Sequence, residues 1–181
     1  MAAANDELLE KAHWFDMQAL TEIYDLFSPG IYRYALRLLG DPLQAEDCVA
    51  DTFSRFLHAL KQGGGPRNQL QAYLYRIAHN WITDRYRREP LPPLELGEQT
   101  PASSGIPDEA GADVVEQARL RAALFRLTPE QRQVVVLKFV EGWENEAIAE
   151  MMKKPLGAVK ALQHRALGAL KRWLLAEEKN K

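Results

Sequence analysis

The sequence predicts an all-helical protein made of two small domains. Apolar residues recur every three or four positions through most of the chain, which is the spacing of the buried stripe of an amphipathic helix. No stretch of useful length alternates between apolar and polar residues, as a strand would. Over residues 89–112 the helical period disappears, and proline, glycine, serine and acidic residues take over. We therefore expect helical domains at residues 5–88 and 113–178, joined by a proline-rich linker at residues 89–112.

The composition narrows the classes of protein that the chain can be. The formal net charge is only −2, but residues 76–88 and 153–172 are basic and residues 41–51 are acidic, so DNA binding is not excluded. The single cysteine, Cys48, excludes an internal disulfide, fits a reducing compartment, and lies in an apolar pattern that favours burial. There is no apolar run of membrane-spanning length and no signal-peptide core. We expect a cytoplasmic protein without membrane contact.

The first domain is predicted to consist of successive amphipathic helices. Residues 5–11 form a weak candidate, and a longer pattern follows over residues 16–40. Pro29 interrupts this pattern, where it either kinks one helix or starts another. The Asp41-Pro42 pair starts a helix over residues 41–60, and after a glycine-rich breaker the last helix runs over residues 69–88.

An acidic face lies on the helix that follows Asp41. Asp47 and Asp51 are four residues apart next to Glu46, and like charges at that spacing destabilise a free helix by ~0.2–0.5 kcal/mol. A basic partner would turn this repulsion into attraction, and a solvated face explains the same pattern. These carboxylates are not expected to act in acid–base catalysis, because no cleft, glycine loop or histidine partner accompanies them in the sequence. The histidines have no metal-ligand spacing, so we expect no metal, cofactor or catalytic activity.

The end of the helix over residues 69–88 is rich in cations, amides and aromatic rings. These residues are Arg76, His79, Asn80, Trp81, Arg85, Tyr86, Arg87 and Arg88. Cations contact phosphates, amides read base edges and aromatic rings stack on unpaired bases, which favours nucleic acid as the partner. Cations near a helix C-terminus also satisfy the helix dipole, and Trp81 could equally be a core residue.

The second domain carries the pattern of two helices joined by a tight turn. Thr128 is a favourable N-cap and Pro129 suits the first helical position, so a helix is predicted from there to Gly142. A short helix follows, and residues 153–155 form a turn because Pro155 excludes the preceding residue from the helical region. Helices joined this closely predict a helix-turn-helix, whose second helix enters the major groove of DNA.

The last predicted helix has two distinct faces. Its apolar positions recur at three and four residues: Val159, Leu162, Ala166, Leu170 and Trp173. Its opposite face is small and cationic, with Gly157, Lys160, Ala161, His164, Gly168 and Lys171, flanked by Arg165. Lysines just before the helix also suit a phosphate bound at its N-terminus. Such a face suits DNA, and a solvated amphipathic helix explains the spacing equally well.

Three segments, in this order, resemble the extracytoplasmic-function (ECF) group of bacterial sigma factors in the sigma-70 family. The family's region-two core-binding helix is similar to DPLQAEDCVADTFSRFLHAL, and its minus-ten segment is similar to QAYLYRIAHNWITDRYRR. Region four is similar to LTPEQRQVVVLKFVEGW, followed by AIAEMM and GAVKALQHRALGALKR. The likeness covers nearly the whole chain outside the linker. It implies a region-two-like bundle followed by a region-four-like helix-turn-helix.

The resemblance also implies roles for the matching positions. The residues implied in core-polymerase binding are Glu46, Asp47, Asp51, Thr52 and Phe53. Those implied at the minus-ten element are Arg76, Asn80, Trp81, Asp84, Arg85, Arg87 and Arg88, and residues 61–68 would help to capture a flipped base. Those implied at the minus-thirty-five element are Lys153, Lys154, Gly157, Lys160, Ala161, His164 and Arg165. The last set coincides with the small cationic face found from the helical period.

The function that the resemblance implies is that of a promoter-specificity factor. It would bind core RNA polymerase through the clamp helices and flap, contact promoter DNA, and help to melt the minus-ten region without chemistry of its own. A separate anti-sigma protein is a further partner that the resemblance allows. The alternatives are an ordinary helix-turn-helix regulator, and a hydrolase or transferase with an unrecognised site. Ala50, His79 and the Met152-Lys153 pair depart from the usual motifs and bear on affinity and promoter sequence.

Overall fold

The computed structural model describes residues 2–88, 119–120 and 122–178, and every regular element within them is helical. The first group comprises α1 (Ala2–His13), α2 (Met17–Leu39), α3 (Pro42–Lys61) and α4 (Leu70–Arg88). The second comprises helical residues 119–120 and 122–125, α5 (Pro129–Val135), a π-helical turn (Val136–Val140), α6 (Asn145–Met152) and α7 (Leu156–Glu178). The all-helical prediction is confirmed. The linker predicted at residues 89–112 lies outside the described residues, and the domain boundaries stay predictions.

Helix α2 is a single helix that contains Pro29. The Asp16 carboxylate caps its N-terminus by accepting a hydrogen bond from the backbone amide of Ala19 at 2.9 Å. Ile23 and Ile31, on either side of the proline, are fully buried. Burial of this continuous apolar stripe outweighs the backbone hydrogen bond that the proline removes, so the helix does not break there.

Helices α3 and α4 complete the first group. Asp41 caps α3 through the backbone amides of Leu43 and Gln44, at 2.9 and 3.4 Å, with proline at the first helical position as predicted. Cys48 is fully buried against α4, and burial raises the pKa of its thiol to about 12. The prediction of a buried cysteine is confirmed. Helix α4 begins at Leu70, one residue later than predicted.

The second group begins with a reciprocal cap, of which only the Thr128 half was predicted. Thr128 accepts a hydrogen bond from the backbone amide of Gln131 at 3.3 Å, and the Gln131 side chain accepts one from the Thr128 amide at 3.2 Å. The helix then widens into the π-helical turn and ends at Gly142, whose φ is 72°. Lys153, with a φ of 53°, makes the turn between α6 and α7.

The two groups of helices pack on each other around a continuous hydrophobic core. Within the first group, α2 packs on α3 and α3 on α4; within the second, α5 and α6 both pack on α7. Between the groups, α4 contacts α6, and α2 contacts α5 and the π-helical turn. Buried residues from both groups therefore belong to one apolar cluster. Among the described helices, none has both the length and the apolar character needed to cross a membrane.

Candidate protein and nucleic-acid interfaces

Helix α3 presents an acidic face to solvent. Glu46 and Asp47 are exposed, and Asp51 is half-buried. The Asp51 carboxylate forms an ion pair with Arg55 on the next turn, with the Nε and Oδ2 atoms 2.6 Å apart. This pair offsets the repulsion expected between Asp47 and Asp51. The carboxylates of Glu46 and Asp47 are exposed and form no ion pair within the part of the chain that the structure describes, so they add negative charge to this surface.

The other two residues assigned to this face, Thr52 and Phe53, lie in the core. The Thr52 hydroxyl donates to the Cys48 carbonyl at 2.7 Å, and the threonine has no exposed surface. The Phe53 ring is almost fully buried and packs against the Tyr24 ring, with centroids 4.7 Å apart. In this arrangement Thr52 and Phe53 support the acidic helix, and neither offers much surface to a partner.

An apolar groove of about 320 Å³ lies between the start of α2 and the end of α3. It is lined by Phe15, Met17, Leu20, Thr21, Tyr24, Phe53, Phe56 and Leu57. Met17 and Tyr24 are exposed at 71% and 47%, although hydrophobic patches of this kind are usually covered. This groove was not predicted, because helical spacing alone does not reveal where a buried apolar stripe gives way to an exposed one.

Helix α4 exposes polar and cationic groups along one face. Asn80, Asp84, Arg87 and Arg88 are exposed, and Trp81 is half-buried against the core. Arg87 and Asp84 form an ion pair at 3.7 Å across one turn. The remaining two residues of the predicted minus-ten set are half-buried: Arg76 lies 4.0 Å from Glu150 of α6, and Arg85 donates to Gln44 at 3.3 Å.

His79 lies on the inner side of α4 and does not belong to this exposed face. Its Nδ1 atom is 3.4 Å from the Tyr34 hydroxyl, and burial lowers the pKa of its imidazole to about 4. Of the charged groups nearby, Glu130 raises this pKa and Lys154 lowers it. The histidine is therefore neutral at physiological pH and does not contribute a cation to this face.

Acidification is expected to destabilise the fold through His79. Its pKa in the folded protein, about 4, is below the ordinary value of 6.5, so the unfolded chain binds more protons between these pH values. The free energy of unfolding should therefore fall by a few kcal/mol as the pH drops from about 6.5 to 4. Denaturant titrations of the wild type and His79→Asn measure this slope. An equally steep loss in the variant would assign the effect to other groups.

The two faces predicted for α7 are confirmed over residues 157–166, whereas Gly168, Leu170 and Trp173 farther along the helix are half-buried. Val159, Leu162 and Ala166 are buried. On the opposite side the exposed residues are Gly157, Lys160, Ala161, His164, Arg165 and Lys171. A cavity of about 330 Å³ adjoins this side, lined by Gln131, His164, Arg165, Gly168, Ala169 and Arg172. Arg172 was not among the predicted residues of this face, although it follows Gly168 by one helical turn.

The two lysines before α7 have different surroundings. Lys153 is exposed at the turn. Lys154 is half-buried, and its Nζ atom lies 2.8 Å from a carboxylate oxygen of Glu130. This ion pair offsets the unfavourable interaction between the Lys154 cation and the positive end of the α7 helix dipole. Lys153 thus offers the freer charge beside the exposed face of α7.

Comparison with known proteins identifies the family. Residues 23–90 match the family model of sigma-70 region 2, and residues 117–170 match that of sigma-70 region 4. The ECF RNA polymerase sigma factor SigL of Mycobacterium tuberculosis is 33% identical over 153 residues, covering 82% of this chain and 85% of SigL. BldN of Streptomyces coelicolor, also an ECF sigma factor, is 32% identical over 172 residues; the match covers 93% of this chain and 65% of BldN.

Solved structures show the same fold. The structure of CnrH in complex with the cytosolic domain of CnrY matches with a TM-score of 0.74 and 24% identity, covering 96% of this chain and 98% of that one. The sigma factor RpoE in complex with the anti-sigma factor NepR from Bartonella quintana matches with a TM-score of 0.64 and 23% identity, covering 85% and 95%. By its sequence matches, this chain belongs to the ECF group of RNA polymerase sigma factors, the promoter-specificity subunits of RNA polymerase.

Proposed function

We propose that this chain binds core RNA polymerase through its first group of helices and places α7 on the upstream promoter element. The observation that carries this proposal is the exposed face of α7, which is small, cationic and opposite a buried apolar stripe. Such a helix fits the major groove, where small residues permit close approach and cations contact phosphates. The polymerase supplies the nucleotide chemistry, and this chain contributes binding and strand capture.

The docking surface for core polymerase combines the acidic face of α3 with the neighbouring apolar groove. Glu46 and Asp47 are exposed carboxylates that would steer a basic surface such as that of the clamp helices. The groove would accept apolar side chains from the same partner, because contact energy concentrates in well-packed apolar pockets. Contact with the flap falls to the second group of helices.

The minus-ten element is assigned to the exposed face of α4 and the loop before it. Asn80 can read base edges, Trp81 offers a partly exposed ring, and Arg87 and Arg88 can contact phosphates. Residues 61–68 lie at the start of this surface, where they would help to hold a flipped base. Capture of unpaired bases would favour the melted state of the DNA over the duplex.

The cellular setting follows from these partners. Core polymerase and bacterial promoter DNA are cytoplasmic, and we place the chain there. The solved relative from Bartonella quintana is bound to an anti-sigma factor, and we propose that a protein of this class also regulates this chain.

Asn80→Ala is expected to impair open-complex formation more than core binding. Asn80 is exposed, so its truncation removes a polar contact to a base without disturbing the core. One lost base contact corresponds to about 1–3 kcal/mol. Permanganate footprinting of the melted region and a polymerase-binding titration compare the two steps. Equal losses in both would indicate a folding defect and would contradict the assignment.

Lys160→Ala is expected to weaken promoter binding and to reduce its salt dependence. Lys160 is exposed at the centre of the α7 face, and each lost phosphate contact lowers the slope of log K against log salt by about 0.9. Binding of the holoenzyme to promoter DNA at several salt concentrations gives the slope. Lys11→Ala on α1 is the control, because Lys11 is an exposed lysine outside the proposed DNA-binding surfaces. Lys61 at the end of α3 is not used, because it adjoins the minus-ten surface. An unchanged slope would remove Lys160 from the interface.

A further inference from the structure

The turn between α1 and α2 carries a tryptophan that is almost fully exposed to solvent. Trp14 is 89% exposed, the largest value for a large hydrophobic residue in the described part of the chain. Its backbone is nevertheless held in place, because the Trp14 amide donates to the Lys11 carbonyl at 3.0 Å. A single exposed ring is common on protein surfaces, so its role depends on the groups beside it.

The turn separates Trp14 from the apolar groove that is proposed to contact polymerase. The next residue, Phe15, lines that groove together with Phe53, whereas Trp14 is not among the lining residues. Phe15 has a φ of 56°, in the left-handed region that is unfavourable for a residue with a side chain. Strained backbone of this kind is frequent at binding sites. The tight turn thus gives two neighbouring rings different surroundings.

The end of α1 is joined to the loop between α3 and α4, residues 62–69. The Nε2 atom of His13 donates to the Pro66 carbonyl at 2.8 Å, across 53 positions of sequence, and Pro66 is buried. This loop contains most of the segment that is proposed to hold a flipped base. Because consecutive Cα atoms are about 3.8 Å apart, Trp14 lies directly beside the residue that anchors the loop.

The segment 61–69 offers two of the three kinds of side chain that a single-strand site combines. Its exposed polar residues are Lys61, Arg67, Asn68 and Gln69. The cations suit phosphates and the amides suit base edges. Aromatic rings, on which unpaired bases stack, are the third kind, and the segment KQGGGPRNQ contains none. The exposed Trp14 ring, beside the anchor of the loop, supplies it.

We propose that Trp14 is a stacking platform for an unpaired base of the melted promoter, held beside the base-capturing loop by the hydrogen bond between His13 and Pro66. This inference rests on the proposed function, because an unpaired base is available only where the promoter is melted. Nucleic acid is favoured over an apolar protein surface, since the neighbouring loop is cationic and Trp14 does not line the polymerase groove. The melted strand would then be contacted from both α4 and the turn between α1 and α2.

The stacking is tested with holoenzyme and single-stranded DNA that carries either strand of a minus-ten region mapped by run-off sequencing. Trp14→Ala should lower the affinity for one of the two strands by about tenfold, which is within the range of base–aromatic stacking. Trp14→Phe should keep most of the affinity, because it retains an aromatic ring. Trp14→Leu should lose as much as Trp14→Ala, because its side chain is apolar but cannot stack.

An abasic scan of the bound strand identifies the base in contact. Each base of the oligonucleotide is removed in turn, and the sugar–phosphate backbone is left intact. At one position the difference between the wild type and Trp14→Ala should vanish, because no base remains to stack on the ring. A difference that persists at every position, or full affinity of Trp14→Ala or Trp14→Leu for both strands, would overturn the proposal.

Phe139→Ala is the matched control, because Phe139 is an exposed ring, at 56%, on the second group of helices. This variant should bind both single strands like the wild type. Trp14→Ala should also bind core polymerase with unchanged affinity. A loss of affinity at that step would assign Trp14 to a protein interface and overturn the stacking role.

Promoter opening separates this inference from the proposed function. If the wild-type holoenzyme opens the promoter and the Trp14→Ala holoenzyme opens it equally well, only the stacking role fails. If the folded wild type neither binds the single strands with core polymerase nor opens the promoter, the proposed function fails, and the premise of the stacking role fails with it.

Discussion

Glu46→Lys combined with Asp47→Lys is expected to lower the affinity for core RNA polymerase by at least about thirtyfold. Both carboxylates are exposed on α3, and neither forms an ion pair with another residue in the described part of the chain. Reversal turns attraction to a basic partner surface into repulsion, and loss of close charge pairs at interfaces costs about 2–5 kcal/mol. Fluorescence anisotropy of the labelled chain, titrated with core polymerase, gives the affinity.

Asp51 is left unchanged in this variant, because its carboxylate already forms an ion pair within α3. Its carboxylate pairs with Arg55, so Asp51→Lys would place two cations one turn apart and destabilise α3 itself. Glu10→Lys on α1 is the matched control, since Glu10 is also an exposed glutamate on a helix. An affinity loss no larger than that of the control would remove the α3 face from the polymerase interface.

Arg132→Ala is expected to lower the free energy of unfolding by about 3–5 kcal/mol. The guanidinium donates to the carbonyls of Leu124, Phe125 and Leu127 as well as that of Leu38, and it stacks on the Phe125 ring at 4.1 Å. Truncation removes one donor from each of these carbonyls, although the Leu38 carbonyl keeps the Tyr86 hydroxyl and the Leu124 carbonyl keeps the Leu127 amide. Burial lowers the pKa of Arg132, but an arginine remains charged at neutral pH.

Denaturant unfolding monitored by circular dichroism measures this loss. Arg126→Ala is the control, because Arg126 is exposed and its cation–π interaction with Trp173, 6.0 Å from the ring centroid, is weak. Arg132→Lys should recover little stability, since an ammonium group cannot reproduce the planar fork of donors. If Arg132→Ala lost no more stability than Arg126→Ala, the buried network would not be a main source of stability.

Local features of the fold were predictable because they depend on residues close together in sequence. Asp41 and Thr128 start helices as predicted, since a capping side chain bonds amides only two or three residues away. The exposed face of α7 followed from the 3.6-residue period alone. The buried Cys48 likewise lay on an apolar stripe.

Features that depend on distant contacts were not predictable. Arg132 looks like an ordinary polar residue in the first turns of a helix, but its Leu38 partner is 94 residues away in sequence. His79 lies in a run of cations and amides, yet its helical position turns it towards Tyr34. The π-helical turn that places Glu141 also has no signature in the apolar spacing, because the wider turn depends on packing.

Transcription with core RNA polymerase from the same host tests the central claim most directly. The purified chain is mixed with core enzyme and fragmented genomic DNA, and the run-off transcripts are sequenced. We expect transcripts that begin downstream of a shared two-part motif, with initiation lost in the Glu46→Lys/Asp47→Lys variant. If the chain is folded but does not bind core polymerase and does not support initiation, the result would contradict the sigma-factor assignment. It would then favour an ordinary helix-turn-helix regulator.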